Sequence, residues 1–343
     1  MRATMEDIAR ECGVTKMTVS RVLAGRTGVR DTTREKVLRA AKRLNYEMNT
    51  LAQNLSINRA GFVGVATSFS GLLGSTYFAE VFNGFHDVLS STALDFALFD
   101  TYTDSFNDGA KLARLYRQRK VDGLLVVALH TDDGFMETLE HAGVPLVVVG
   151  ECAPAPSVCS VYPEDGRGIR LMCEHLYHLG HRRIAFVSGP LNYVSSNRRL
   201  AAWQDFCDEW RLGLPADFLQ PGGFDMFTGR EAGLKLLSKP AGERPTAVVA
   251  ANDNMAFGVY EAAHQLNLRI PEDVSIAGFD DLPSAADHFP PLTTIHQPAR
   301  EIGQLAARKI LHTISTGEMP MGQVAMEVDL VVRGSTGAAP TDV

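Results

Sequence analysis

Lys16, Met17, Ser20 and Arg21 fall at spacings that put them on one side of an α-helix, with Val19, Val22 and Leu23 opposite. Arginine and lysine donate to guanine O6 and N7, serine reaches base edges or phosphate, and methionine packs on a thymine methyl. A short helix with these groups near its N-terminal end has the chemistry of a major-groove reader, and its polar face contains no acid. The same pattern also describes the solvated face of a generic three-helix bundle. Farther along, polar residues follow apolar runs: Ser68, Asn252 with Asp253, Asp280 with Asp281, and Arg199 close to Trp203. Carboxylate, amide and guanidinium groups fix hydroxyls while an aromatic face covers a sugar's C–H side, so the set reads as a polyol site. Any single aspartate among them is better explained as a helix N-cap or loop ion pair.

His175, His178 and His181 have a three-residue spacing that invites a metal reading. Gly180 marks a helix end there, however, and imidazolium groups suit the negative end of the dipole. The five cysteines are scattered with no C-x-x-C pair, so neither a disulfide framework nor a zinc site is indicated. No G-x-G-x-x-G, Walker loop, H-E-x-x-H or G-x-S-x-G occurs; no enzyme class has its motif, and no cofactor is expected.

Charge is divided along the chain. The first sixty residues hold 12 basic and 6 acidic side chains, and the remainder holds 21 basic against 34 acidic. A basic head on an acidic body fits a head that alone meets a polyanion. No apolar run is long enough to span a membrane and no secretory signal follows Met1, so the cytoplasm is the expected compartment.

Three helices should present the head's reading face. Thr4 caps the first, with Ile8, Ala9 and Cys12 as its apolar stripe and Gly13 as its end. Thr15 caps a second over 16–24. Thr32-Thr33-Arg34-Glu35 reads as a capping box for a third, which buries Val37, Ala40, Ala41 and Leu44. Residues 47–60 place Leu51 and Leu55 on one face with Ala52 beside them, a two-turn helix too short to be stable alone. From residue 61 onward strands are expected at 61–67, 94–99, 123–128, 145–149, 184–188, 246–250, 274–278 and 326–332. Helices separate most of them, at 77–91, 107–119, 133–142, 165–179, 196–211, 228–238, 254–266 and 298–316. Alternating strands and helices mean parallel sheets covered on both faces, here in two lobes that divide near 161–165. Ligands in such folds bind beyond the carboxyl ends of the strands.

The stretch Met5-Glu6-Asp7-Ile8-Ala9-Arg10-Glu11-Cys12-Gly13-Val14-Thr15-Lys16-Met17-Thr18-Val19-Ser20-Arg21-Val22-Leu23 resembles the signature of the LacI/GalR family of bacterial transcription regulators. Similar blocks recur at Thr33-Arg34-Glu35-Lys36-Val37, Leu44-Asn45-Tyr46, Glu164-Asp165-Gly166, His175-Leu176, Leu179-Gly180-His181-Arg182-Arg183-Ile184-Ala185, Ala251-Asn252-Asp253, Ile276-Ala277-Gly278-Phe279-Asp280-Asp281 and Pro291-Leu292-Thr293-Thr294-Ile295. The resemblance therefore covers nearly the whole chain. It implies an α/β protein: a three-helix helix-turn-helix domain and a two-lobed, doubly wound body resembling type I periplasmic binding proteins. The expected domains are 1–46 (DNA binding), 47–60 (hinge helix) and 61–334 (effector binding and dimerisation), followed by a tail, 335–343. Lobe 1 takes 61–161 with 292–323, and lobe 2 takes 162–291 with 324–334.

The resemblance implies DNA contacts at Met5, Thr15, Lys16, Met17, Thr18, Ser20, Arg21 and Thr33. Asn49, Ala52 and Leu55 join them from a hinge that folds on DNA, pairs with its dimer mate and wedges a leucine into the minor groove. Effector contacts are implied at Ser68, Tyr162, Arg199, Trp203, Asn252, Phe279, Asp280 and Gln297. This chain departs from the family at Ala24-Gly25-Arg26, where asparagine is often found, and at Gly150-Glu151, near the end of a strand where some members carry an acid. The expectation is a homodimeric repressor on a pseudo-palindromic double-stranded DNA operator. Its effector would be a sugar, sugar acid or derivative, and no membrane is involved. A periplasmic sugar binder would share the body but need an export signal, and a nucleotide-dependent enzyme would need a phosphate loop. The tail has no leucine heptads, so no tetramerising coiled coil is expected.

Overall fold

Thr4 opens helix α1 (Met5–Cys12) with a reciprocal cap: Asp7 N–H donates to Thr4 Oγ1, and Thr4 N–H donates to Asp7 Oδ2. Gly13, at φ +64°, closes it in the left-handed conformation that glycine adopts freely. Helices α2 (Lys16–Leu23) and α3 (Asp31–Arg43) follow, and Ile8, Cys12, Val19, Val22, Val37 and Ala40 form the core between the three. The computed structural model describes residues 3–23, 25, 27–46, 59–67, 75–100, 102–103, 106–107, 109–127, 134–153 and 155–341. Two compact units divide the chain, Met1–Ala60 and Gly61–Val343. The third helix starts earlier than its sequence implies. Thr33 and Arg34 N–H both donate to the Arg30 carbonyl, so Thr32 lies inside the first turn and makes no cap.

The second unit runs β1 (Phe62–Thr67), α4 (Thr76–Leu89), β2 (Asp95–Asp100), a short hairpin β3 (Tyr102–Thr103) and β4 (Phe106–Asn107), then α5 (Gly109–Arg117) and β5 (Gly123–Val127). Next come α6 (Gly134–His141), β6 (Leu146–Val149), β7 (Ser160–Pro163), α7 (Asp165–His178), β8 (Ile184–Ser188), α8 (Val194–Glu209) and β9 (Leu219–Pro221). The chain finishes with α9 (Met226–Leu237), β10 (Ala247–Ala250), α10 (Asp253–Gln265), β11 (Ser275–Ala277), α11 (Pro283–Asp287), β12 (Thr294–His296), α12 (Ala299–Thr316), β13 (Gln323–Met326) and β14 (Asp329–Val331).

One parallel sheet has the order β13-β7-β6-β5-β1-β2, and a second has β11-β10-β8-β9. Alternation along the central strands of the first sheet feeds two separate cores. Val63, Val65, Leu125 and Val147 meet Phe85 of α4 and Ile302 of α12. Leu124, Val126 and Val148 face the other way, onto Leu112 of α5 and Phe135 of α6. Glycine is required where α4 and α12 touch, because a Cβ on Gly84 would lie 2.1 Å from the Arg300 carbonyl oxygen.

The crossings between sheets lie a few residues from where the sequence puts them. Tyr162 sits on β7, which pairs with β6 and β13 in the first sheet, so the chain crosses after Pro163. It returns between His296 and Ala299 and crosses again between Met326 and Asp329. The single strand expected at 326–332 is thus two strands, since its ends pair in different places: β13 with β7, and β14 antiparallel with β12.

The last residues are built into the second lobe. Ser335 Oγ donates to the Ile276 carbonyl and accepts from Thr293 N–H, Gly337 N–H donates to Ser275 Oγ, and Ala339 N–H donates to the Leu179 carbonyl. His181 is part of this seam rather than a charged helix cap. Its Nε2 lies 3.0 Å from the Gly337 carbonyl oxygen and its Nδ1 2.9 Å from Thr246 Oγ1. The carbonyl only accepts, so Nε2 carries the proton and Nδ1 receives the hydroxyl. Burial pushes this imidazole down to about 4. The unfolded chain therefore binds the extra proton between about pH 6.5 and 4, and this contact's stability, complete above 6.5, is lost as pH falls through that window. Urea denaturation should show the decline, and His181→Gln should flatten it while costing about 1–2 kcal/mol at neutral pH. An unchanged pH slope in the variant would remove His181 from the account.

Candidate functional site

Helix α2 exposes Lys16, Met17, Ser20 and Arg21 and buries Val19 and Val22, the division expected from its periodicity. Thr15 precedes the helix and accepts from Thr18 N–H at 3.2 Å, while the two hydroxyls lie 3.0 Å apart. The Thr18 side chain, half-buried, is thereby held against the cap. Met17 is 67% exposed, an apolar side chain placed outward. Met5 and Thr33 are half-buried. One feature was not legible in α2 alone. Glu6, from α1, takes Lys16 Nζ at 2.7 Å and raises the ammonium's pKa, so an acid does sit beside the donor-rich face. Asn49, Ala52 and Leu55 lie outside the described residues, as do Ala24, Arg26 and Ser68.

In the second unit, the carboxyl ends of the strands converge on Arg199. This guanidinium on α8 is 5% exposed; its Nε donates to Asp165 Oδ1 at 2.8 Å and its Nη1 to the Ala251 carbonyl at 2.6 Å. Its plane lies over the Phe279 ring, 3.8 Å from the centroid. Asp165 follows β7, Ala251 follows β10 and Phe279 follows β11, so one side chain ties together three strand ends from both sheets.

Glu151, just after β6 in the first sheet, reaches the start of α8 in the second lobe. Its Oε2 accepts Ser195 N–H at 2.6 Å and its Oε1 the Ser195 hydroxyl at 2.8 Å. Burial first, and Asp165 second, push this carboxyl up to about 8 against the opposing Ser195 bonds. Asp280 holds Gln297 Nε2 and is driven well above the usual carboxylate range by burial and by Asp253. Its backbone, at φ +140°, and that of Asp281, at +58°, lie where L-residues are rarely found. Tyr77 of α4 borders the cluster: burial raises its phenol, with Asp280 adding to the effect and Arg199 opposing it.

Not every expected contact faces this cluster in the same way. Arg199, Asp280 and Gln297 do, and Tyr162 stands at its side with the Arg198 guanidinium 4.9 Å from its ring centroid. Asn252 instead spends both ends of its amide locally, accepting Met255 N–H as the α10 cap and donating to the Phe224 carbonyl. Trp203 stacks on Phe186 within the second lobe's apolar core, 5.6 Å between centroids. Phe279 is fully buried beneath Arg199. Tyr77, Glu151, Asp165 and Ser195 were missed as site residues. Glu151 and Asp165 both follow strands, a signal within reach; Tyr77 lies near a helix start, where nothing marks it.

Residues 4–49 match the family described as bacterial regulatory proteins, lacI family, and residues 173–336 match the periplasmic binding protein-like domain. The ribose operon repressor of Escherichia coli is 32% identical over 334 residues, covering 97% of this chain and 99% of its own. The structure of the lac repressor dimer bound to operator and the anti-inducer ONPF is 30% identical with a TM-score of 0.88, covering 98% of this chain and 100% of that one. A complex of the transcriptional regulator CelR with cellobiose is 30% identical with a TM-score of 0.73, covering 97% and 100%.

Removing the central guanidinium should leave Asp165 buried without its charge partner. Arg199→Met is expected to destabilise the second unit by about 3–5 kcal/mol, and adding Asp165→Asn should recover much of that loss. Both tryptophans, Trp203 and Trp210, lie on or at the end of α8, so fluorescence-monitored urea denaturation reads this region directly. Equal stability of the single variant and the wild type would show that the pair holds nothing together.

Proposed function

This chain belongs to the LacI family of bacterial regulatory proteins, and from that premise we infer a homodimeric repressor whose hold on its operator is set by a small polar effector. The observation that carries the reading is the pairing, in one chain, of an exposed donor-rich helix with a separate two-sheet unit whose strand ends converge on buried polar groups. Its relatives are transcriptional regulators, and no catalytic role is assigned to any residue. Among the described residues no helix is long and apolar enough to cross a membrane, and the protein acts where its operator is, in the cytoplasm.

Each head places Lys16, Met17, Ser20 and Arg21 in a major groove, with Thr15, Thr18, Thr33 and Met5 supporting the approach to the backbone. Asn49, Ala52 and Leu55 act in the 47–60 segment, paired across the dimer and pressed into the minor groove between half-sites. The effector sits between the lobes against Arg199, Asp280, Gln297 and Tyr162, and Ser68 is a further contact by family resemblance. Asn252, Trp203 and Phe279 serve the same site from behind by fixing the loop, the helix and the guanidinium that face it. Ligand binding changes how the lobes close, and linkage carries that change to the 47–60 segment and so to operator affinity. The homodimer follows the lac repressor's arrangement.

Selection from random duplexes followed by gel shift tests the reader. A defined pseudo-palindromic site should emerge, and Arg21→Ala should weaken binding to it about ten- to a hundredfold. Binding without sequence preference at moderate salt would defeat the reading. Glu6→Gln should act the other way: with Lys16 released, affinity for any duplex should rise and the salt dependence should steepen by about one phosphate contact.

A further inference from the structure

We propose that Glu151 makes the interlobe site selective for an uncharged ligand that donates hydrogen bonds, and that it excludes phosphate- and carboxylate-bearing analogues. The proposal rests on the effector reading given above and narrows it, since that reading admits sugar acids as well as sugars. The N-terminus of a helix is the natural seat for an anionic group on a ligand, because its first N–H groups lack intrahelical partners. In α8 that seat is taken. Tyr193, the residue before the helix, makes no side-chain cap, and the Glu151 carboxyl supplies one from the other lobe through both of its oxygens. Glu151 is 5% exposed, so this contact is interior rather than rim. Gly150 sets its approach: at φ +79°, a Cβ there would lie 3.1 Å from Tyr77 Oη.

Two further atoms, independent of the helix terminus, state what the ligand must bring. Asp165 Oδ2 and Gln297 Oε1 are buried and have no hydrogen-bond partner among the described residues, although Arg198 Nε lies 4.0 Å from the former. Asp165 is fully buried and Gln297 is 3% exposed. The Gln297 amide is oriented by its Nε2 donating to Asp280, which leaves the oxygen as an acceptor. Both orphan atoms therefore call for donors, O–H or N–H; a carboxylate offers none and an ionised phosphate at most one or two, where a neutral polyol offers several. Charge agrees with this. Glu151, Asp165 and Asp280 gather around the buried Arg199, which already donates to Asp165 and to the Ala251 carbonyl, and the half-buried Arg198 is paired with Asp165 as well. Burial and mutual repulsion hold these carboxyls above their ordinary range, so the site already disfavours negative charge, and an anionic ligand would meet the same desolvation and the same repulsion.

Isothermal titration of the full-length protein tests this with D-ribose and cellobiose as neutral probes, and ribose 5-phosphate and gluconate as anionic ones. The wild type should bind at least one neutral probe and bind the anionic ones at least a hundredfold more weakly. Glu151→Ala should raise affinity for ribose 5-phosphate tenfold or more, and Glu151→Gln should do so to a smaller degree. Inorganic phosphate gives a readout that needs no sugar: it should raise the melting temperature of Glu151→Ala and leave the wild type unmoved. Glu151→Gln, which keeps the side chain's shape, guards against a collapsed alanine variant. Wild-type binding of ribose 5-phosphate or gluconate as tight as that of the neutral probes, or unchanged ratios in both variants, overturns the role of Glu151. Silence of every neutral and anionic probe, with folded protein, overturns the sugar-effector reading and this inference with it.

Discussion

A guanidinium removed from water is stable only where every group around it has been arranged to receive it, and Arg199 shows how much arrangement that takes. Asp165 supplies the charge, the Ala251 carbonyl a second acceptor and the Phe279 ring a face. Each of these groups follows a different strand, and Asp165 stands where the chain first crosses between sheets. The positions of β7, β10 and β11 are thus coupled through one side chain. The strained backbone at Asp280 is sustained from the same region, with Asp280 N–H donating to Ile295 and Arg333 pairing with Asp281. A site of this kind is rigid because its members are costly to separate.

That coupling also explains what could be read in advance. Helix faces and strand ends repeat with short periods, so α2, the alternating body and the post-strand Asp280 were visible in sequence, whereas Gln297 came only with the family resemblance and Arg199 from a helix near Trp203. Thr4 and Thr15 acted as caps because capping is local, decided within three residues. Thr32 failed for the same local reason: Arg30 offered its carbonyl first. What stayed hidden was pairing across distance. Nothing near Glu151 announces Ser195, and nothing near Lys16 announces Glu6, because each partner arrives by tertiary packing. Asn252 and Trp203 illustrate the reverse. Their residue types suit a ligand, yet the structure engages them in a cap and a core.

The head presents a smaller version of the same economy of contacts. A core of eight buried residues, none beyond Ala41, holds the reading helix. The Glu6–Lys16 pair lies at its surface with both side chains 62% exposed, so water and salt screen it. It is therefore weak as a stabiliser and better understood as a guard on a cation, which a phosphate can displace at modest cost.

The seam made by Ser335, Gly337 and Ala339 has a consequence for how the protein is made. The second lobe is not closed until these residues leave the ribosome, and the first lobe waits for α12 and β13. The head has its whole core long before. During synthesis, then, the head's core is complete while most of the body has still to be made. A chain cut short before α12 would therefore carry a folded head on a body whose lobes cannot close.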